Sequence, residues 1–306
     1  MSLWRESWRD SLIHERVFAC YVLFTLIRLI YSAGFSSPHV LVYFGSLALM
    51  AGGVLLTRRY PSVWAWRGRL VIYPVLMNIM FVNLRWVSPL INDSKKDAIL
   101  WQIDKWITGG SLSVMLEPLI APPLTEFFSF CYMFFMVYLF LSIVVWLFSP
   151  TPIARIFYAG LFSLYGIGYF GYTLVPAVGP YAVYASEFTR PLSGYFMTNF
   201  LASIYPTGTN YTDIFPSLHC AITTYLLLFD MKWNRRRFWI CLVPSVGLLF
   251  STIYLRYHYF VDVLAGLAVA AAALFIAHAA RLREERCSRE KINRSCYHDN
   301  KLKVLP

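Results

Sequence analysis

The chain has 306 residues, of which 58% are hydrophobic and only 14% charged, whereas soluble domains carry about 25% charged residues. A soluble fold of this length has too little interior to hide so much apolar surface, so the composition points to an integral membrane protein. The formal charge of +11 comes without a base-reading or stacking motif, so no nucleic-acid partner is expected and Lys/Arg in loops on one side of a membrane account for it.

In chain order, the opening MSLWRESWRDSLIHER is charged and mixed and lacks the apolar core and small-residue site of a cleavable signal peptide. Runs apolar enough to span a bilayer, which takes about 20 residues, follow at 17–35, 38–57, 70–90, 127–148, 153–175, 216–231, 238–256 and 258–280. The sixth run is short. The expected fold is all-α, a polytopic helical bundle of eight transmembrane helices. Three regions are expected: transmembrane helices over 1–90, a catalytic domain over 91–280 and a basic, solvated, partly disordered tail over 281–306.

Arg58, Arg59, Arg67 and Arg69 follow the second run, Lys232 and Arg235–Arg237 follow the sixth, and Arg281, Arg283, Arg286, Arg289, Lys291 and Arg294 follow the last. All fall on one side if both termini are cytoplasmic. Residues 91–126 and 176–215 then lie on the outer face of an inner or plasma membrane. Within the first of these, Ile99, Ile103, Trp106 and Ile107 recur at helical spacing beside Asp97, Asp104 and Lys105. That pattern predicts a short amphipathic helix in the interface, ended by Gly109-Gly110. The segment 176–215 is a long loop with turn signals at Pro176–Tyr181 and Tyr205–Gly208. Arg28 and Arg85 lie inside spanning runs, where each either snorkels to an interface or faces a cavity. Tyr132, Tyr169 and Tyr172 read as aromatic packing, with a headgroup pocket as the alternative. The six cysteines are scattered and form no CxxC pair.

Two polar islands stand out. The first is Phe215-Pro216-Ser217-Leu218-His219 and the second Arg256-Tyr257-His258-Tyr259-Phe260-Val261-Asp262. Ionisable groups at membrane depth mark function by default. His258 and Asp262 are four apart, so a helix from about 258 would put them on one face. A carboxylate there orients the imidazole and raises its basicity, making His258 a nucleophile. The plain alternative is a buried pair that satisfies only itself. Pro216 suits the first turn of a helix whose free N–H groups attract an anion. Ser217 adds a hydroxyl, and His219 can carry a proton. Together these parts suit phosphoryl transfer without a cofactor or metal. His258 attacks phosphorus, His219 protonates the leaving oxygen, and Arg256, Ser217 and backbone N–H groups hold phosphate oxygens. Two His and one Asp are also partial zinc ligands, but no third strong ligand is positioned.

The stretches FPSLH and YLRYHYFVDVLAG resemble the second and third motifs of the type 2 phosphatidic acid phosphatase superfamily, and are most similar to its branch of inositol phosphorylceramide synthases. VPAVGPY resembles that branch's first motif, and Asp104–Gly109 with Leu116-Glu117-Pro118 resembles the segment before the core. The resemblance, over about 95–280, implies a six-helix core and an enzyme acting on membrane lipid phosphates. It gives His219 the role of acid, His258 that of nucleophile and Asp262 that of orienting carboxylate. Water as acceptor makes a lipid phosphatase, and a lipid hydroxyl makes a headgroup phosphotransferase. Two cations of the common pattern are replaced, by Val183 and by Thr252. This leaves Arg256, and more weakly Arg190, as the phosphate-binding cations. A non-catalytic lipid-binding or transport protein is the competing reading, for which paired broken helices would speak.

Overall fold

The structure of the chain, a computed structural model, describes residues 11–208 and 212–302, with side chains described over 11–205 and 212–289. A backbone in lipid must satisfy its polar groups internally, which leaves helices as the open solution. Twelve α-helices and no strand occur among the described residues. They are α1 (Ile13–Ala33), α2 (Pro38–Arg59), α3 (Val63–Ile91), α4 (Asp97–Thr108), α5 (Leu112–Met115), α6 (Pro122–Leu147), α7 (Thr151–Leu174), α8 (Pro180–Val183), α9 (Phe196–Gly208), α10 (Leu218–Trp233), α11 (Arg235–Tyr254) and α12 (Phe260–Leu302).

Seven of these, α1, α2, α3, α6, α7, α11 and α12, are long and apolar enough to cross a membrane. The chain is an integral, multi-pass membrane protein. The sixth predicted run is α10, which has 16 residues and is about 24 Å long, short of the ~30 Å hydrocarbon core. It packs against α6, α7, α11 and α12, so protein rather than lipid surrounds it. It ends at a buried polar cluster, where Tyr138 donates to Asp230 at 2.8 Å and Arg237 lies 3.3 Å from the same carboxylate.

Helix α7 is the axis of the bundle. In its most apolar 18-residue window 78% of residues are buried, against 33–44% in the other six spans. It contacts α1, α3, α10 and α12. Where α10 crosses it, a Cβ at Gly168 would overlap the Leu218 side chain, so the close approach needs glycine. Arg28 does not reach a cavity. Its guanidinium donates to the Ile91 and Thr173 carbonyls at 3.1 and 3.3 Å, satisfying carbonyls at the ends of α3 and α7. Arg85 is exposed on the outside of α3.

Two segments read as loop and tail contain helix. The stretch read as a turn at Tyr205–Gly208 is the end of α9, which packs on α6. The tail expected to be partly disordered continues α12 to Leu302. Pairs such as Arg281–Glu285, four apart at 3.7 Å, support its polar length. The amphipathic helix α4 forms as predicted and ends at Gly109 in the left-handed region. Its carboxylates, however, point inward. Asp97 and Asp104 are buried, while Trp106 is 85% exposed.

Candidate active site

Both polar islands sit at one end of α7, and the backbone joins them directly. The Ser217 N–H donates to the Asp262 carbonyl at 3.0 Å, and Gly266 lies under Ser217, where a Cβ would fall on its carbonyl oxygen. Helix α10 begins two residues later than Pro216 at its first position would require. Pro216 lies before the cap, and Ser217 is the N-cap, its buried Oγ accepting the Cys220 N–H at 3.4 Å.

The second island is held by carboxylates. Helix α12 starts at Phe260, so His258 lies ahead of it rather than within it. Asp262 Oδ2 reaches back to the Tyr259 N–H at 2.9 Å, as the third residue of a capping box does. Asp104 accepts the Phe260 and Val261 N–H groups at 2.7 and 2.8 Å. Asp97 accepts the Tyr259 hydroxyl at 2.8 Å and the Val178 and Gly179 N–H groups at 3.0 and 2.9 Å. The Tyr181 N–H donates to the Arg256 carbonyl at 2.8 Å. The stretch VPAVGPY and both islands are thereby locked together. The anion-attracting start of α12 is already served by Asp104, whose carboxyl burial raises above its ordinary range, against the lowering effect of those two N–H groups.

The two histidines meet. Their ring centroids are 5.7 Å apart, and the His219 ring stacks on Tyr132 with centroids 4.8 Å apart. His258 is 1% exposed. Its Nδ1 lies 3.5 Å from Asp262 Oδ2, about 0.5 Å beyond a normal hydrogen bond, and has no other partner among the described residues. Burial holds the His258 imidazole down to about 4, with the Asp213 charge and a hydrogen bond to the Ile214 backbone acting the other way. The ring is therefore neutral at neutral pH.

A cavity of about 440 Å³ opens beside both histidines, with Tyr132, Tyr169 and Tyr172 in its wall. The three tyrosines read as packing thus line a cavity as well. It extends to Asn78 of α3 and Met136 of α6, both exposed on the outside of the bundle. Neither Arg256, Arg190, Ser217 nor Asp262 is in its lining. Arg256 has a left-handed φ of 68°, which is strained for a residue other than glycine. Its Nη2 donates to Glu117 Oε1 at 3.0 Å and also to the Arg190 carbonyl. Its Nε has no partner among the described residues. The Arg190 side chain is exposed.

Sequence reasoning missed Asp213, which lines the cavity and acts on His258. A signal existed, because Asp213 is the only Asp, Glu, Lys or Arg between Arg190 and Asp230. It also missed the anchoring by Asp97 and Asp104 and the clamp made by Glu117. Glu117 accepts the Thr189 N–H and hydroxyl and the Arg190 N–H at 2.8–3.2 Å. Burial opposes its ionisation, but these donors and Arg256 hold its carboxyl below the usual range. No group of three or more metal-ligating side chains is gathered among the described residues.

The bundle and its paired histidines define the class: a polytopic membrane protein with a polar site at one end of its helices. The model of the PAP2 superfamily matches residues 99–276, more than half of the chain, and the protein belongs to that superfamily. Membership carries the expectation of a phosphatase-type activity. No curated protein and no solved structure matches the chain.

Proposed function

We propose that the protein transfers a phosphoryl-bearing group from a membrane lipid phosphate through a phosphohistidine at His258. The observation that carries this reading is the meeting of His219 and His258, with ring centroids 5.7 Å apart, at the wall of an apolar cavity. Neutral His258 attacks phosphorus, and Asp262, moving about 0.5 Å closer, stabilises the cation that forms. His219 carries the proton of the leaving oxygen and later takes one from the acceptor. Ser217 fixes the start of α10 and, with the first-turn N–H groups, forms the oxyanion side of the site. The unpartnered Nε of Arg256 is the donor left for a phosphate oxygen, and Arg190, whose carbonyl Arg256 holds, adds charge beside it.

The lining favours a substrate with hydrocarbon chains, since tyrosine, leucine and methionine side chains dominate it. With a lipid hydroxyl as acceptor the reaction is headgroup transfer of the inositol phosphorylceramide synthase type; with water it is lipid phosphate hydrolysis. In this reading the site faces the outer side of the membrane, with both termini cytoplasmic, which the distribution of Lys and Arg supports. The catalytic unit spans 91–280, between the N-terminal helices and the basic tail.

The test is an assay of purified protein in detergent with phosphatidic acid, an isoprenyl diphosphate, and phosphatidylinositol plus ceramide, following phosphate release and new lipid products together. An acid-labile, alkali-stable phosphoenzyme is expected in wild type and not in His258→Ala. Turnover by His258→Ala equal to wild type on every active substrate would remove His258 as the nucleophile.

A further inference from the structure

The cavity beside the histidines has its exposed edge on the flank of the bundle. Among the described residues that line it, Asn78 and Met136 are the two that are exposed. Asn78 stands midway along α3 and Met136 midway along α6, and both helices are long and apolar enough to cross the membrane. A surface at that depth meets hydrocarbon rather than water. The Asn78 amide is served within its own helix, since its Nδ2 donates to the Pro74 carbonyl at 2.9 Å. Helix α3 precedes residues 99–276, so this edge is built partly from outside the superfamily match.

Another wall of the cavity belongs to α9, which contributes Leu201, Ile204 and Tyr205 to the lining. Leu201 is buried and packs with Tyr132, Tyr254 and Tyr257. The Tyr205 ring stacks on Tyr257 with centroids 3.8 Å apart. The first N–H groups of a helix need acceptors from outside it, and for α9 one side chain of α6 supplies them. Glu126 accepts the Tyr195, Met197 and Thr198 N–H groups at 2.8, 2.6 and 3.1 Å and the Thr198 hydroxyl at 2.8 Å. The same hydroxyl lies 3.2 Å from that of Ser129, also on α6. A single carboxylate thereby fixes the start of the helix that covers the cavity.

A phosphohistidine is discharged by whichever oxygen reaches phosphorus. The acceptor oxygen forms the new P–O bond, and the P–N bond to the His258 ring breaks with its electron pair returning to the ring. The acceptor's proton passes to His219. Water and a lipid alcohol complete the same step, so access decides between them. We propose that lipids reach the histidines sideways from the bilayer between α3 and α6, and that Glu126 is a positioning residue that holds α9 as a cover against water, so that the acceptor is a lipid hydroxyl. This rests on the reading of His258 given above.

Wild-type protein and variants in lipid nanodiscs, supplied with the substrates of the assay above, are read for the ratio of water-derived to lipid product. Lipid product should dominate in wild type. Glu126→Ala should raise the ratio roughly tenfold, because α9 loses a charged acceptor, while forming phosphoenzyme as wild type does. Glu126→Gln, which keeps an oxygen for the N–H groups, should return most of the wild-type ratio and controls for folding. A merely structural role would lower both products together. Independently of turnover, analogues of phosphatidic acid, phosphatidylinositol and ceramide with a mid-chain diazirine should label the buried wall at 165–172 and 218–222, in wild type and in His258→Ala. Met136→Trp should cut that labelling roughly tenfold by narrowing the opening. Wall labelling without turnover on any substrate would keep the side entry and remove the His258 reading together with the acceptor choice that rests on it. A wild type that releases mainly water-derived product, a ratio unchanged in Glu126→Ala, or no wall labelling by any analogue overturns the proposal.

Discussion

Nη2 of Arg256 lies 3.0 Å from Oε1 of Glu117, joining residues 139 positions apart. The cation two residues before His258 is therefore already committed to a carboxylate of the segment ahead of α6, and that carboxylate also gathers Thr189 and Arg190. One ion pair thus holds the long outer loop against the second polar island. Both side chains are under 10% exposed, where removing one partner strands the other.

Glu117→Gln should lower the unfolding free energy by roughly 2 kcal/mol, read as a lower melting temperature in detergent. Glu117→Gln/Arg256→Gln should recover part of that loss. A single variant that melts with wild type would show that the pair does not clamp the loop.

Asp262→Asn separates two roles of one side chain. Asparagine still offers an oxygen to the Tyr259 N–H, so the start of α12 and the melting temperature should change little. Turnover should fall roughly 10²–10⁴-fold, because the neutral amide no longer stabilises a charged His258. His219→Ala should fall by a similar factor. Wild-type kcat in Asp262→Asn would leave the carboxylate with capping alone.

The pH dependence of stability has a defined sign. His258 is held at about 4 in the folded protein, against about 6.5 when unfolded. Between these values the unfolded chain binds the extra proton. Its contribution is thus fully present above about pH 6.5 and is lost as pH falls toward 4. Melting temperature against pH should drop less steeply over that window in His258→Asn than in wild type. Superimposable slopes would count against the buried neutral ring.

Gly266→Ala should displace the backbone at Ser217, since the added methyl meets a carbonyl oxygen rather than a flexible side chain. Loss of activity should exceed loss of stability, because the shift acts on the α10 start that carries His219. Paired melting and turnover measurements check this, and an active, stable variant would refute the close approach.

Membrane class, seven of the eight expected spans and the two histidine islands were legible in the sequence because hydropathy and short motifs are local properties. The helix at 97–108 was legible too, from its spacing and from Gly109. Local signals could not show where its carboxylates go. Asp97 and Asp104 read as the wet face of an interfacial helix, yet they turn inward to cap a chain some 160 positions away. The tie of Arg256 to Glu117, the presence of Asp213 beside His258 and the placing of Tyr132, Tyr169 and Tyr172 on a cavity wall were likewise hidden. Each depends on which distant donors and acceptors a buried polar group meets, and burial makes such pairing obligatory without encoding the partner nearby. Hydropathy and motif by themselves determined what kind of protein this is and where its two polar islands lie along the chain. Only the packing of α4, α10 and α12 around the end of α7 decided which of those residues face the cavity and which hold its frame.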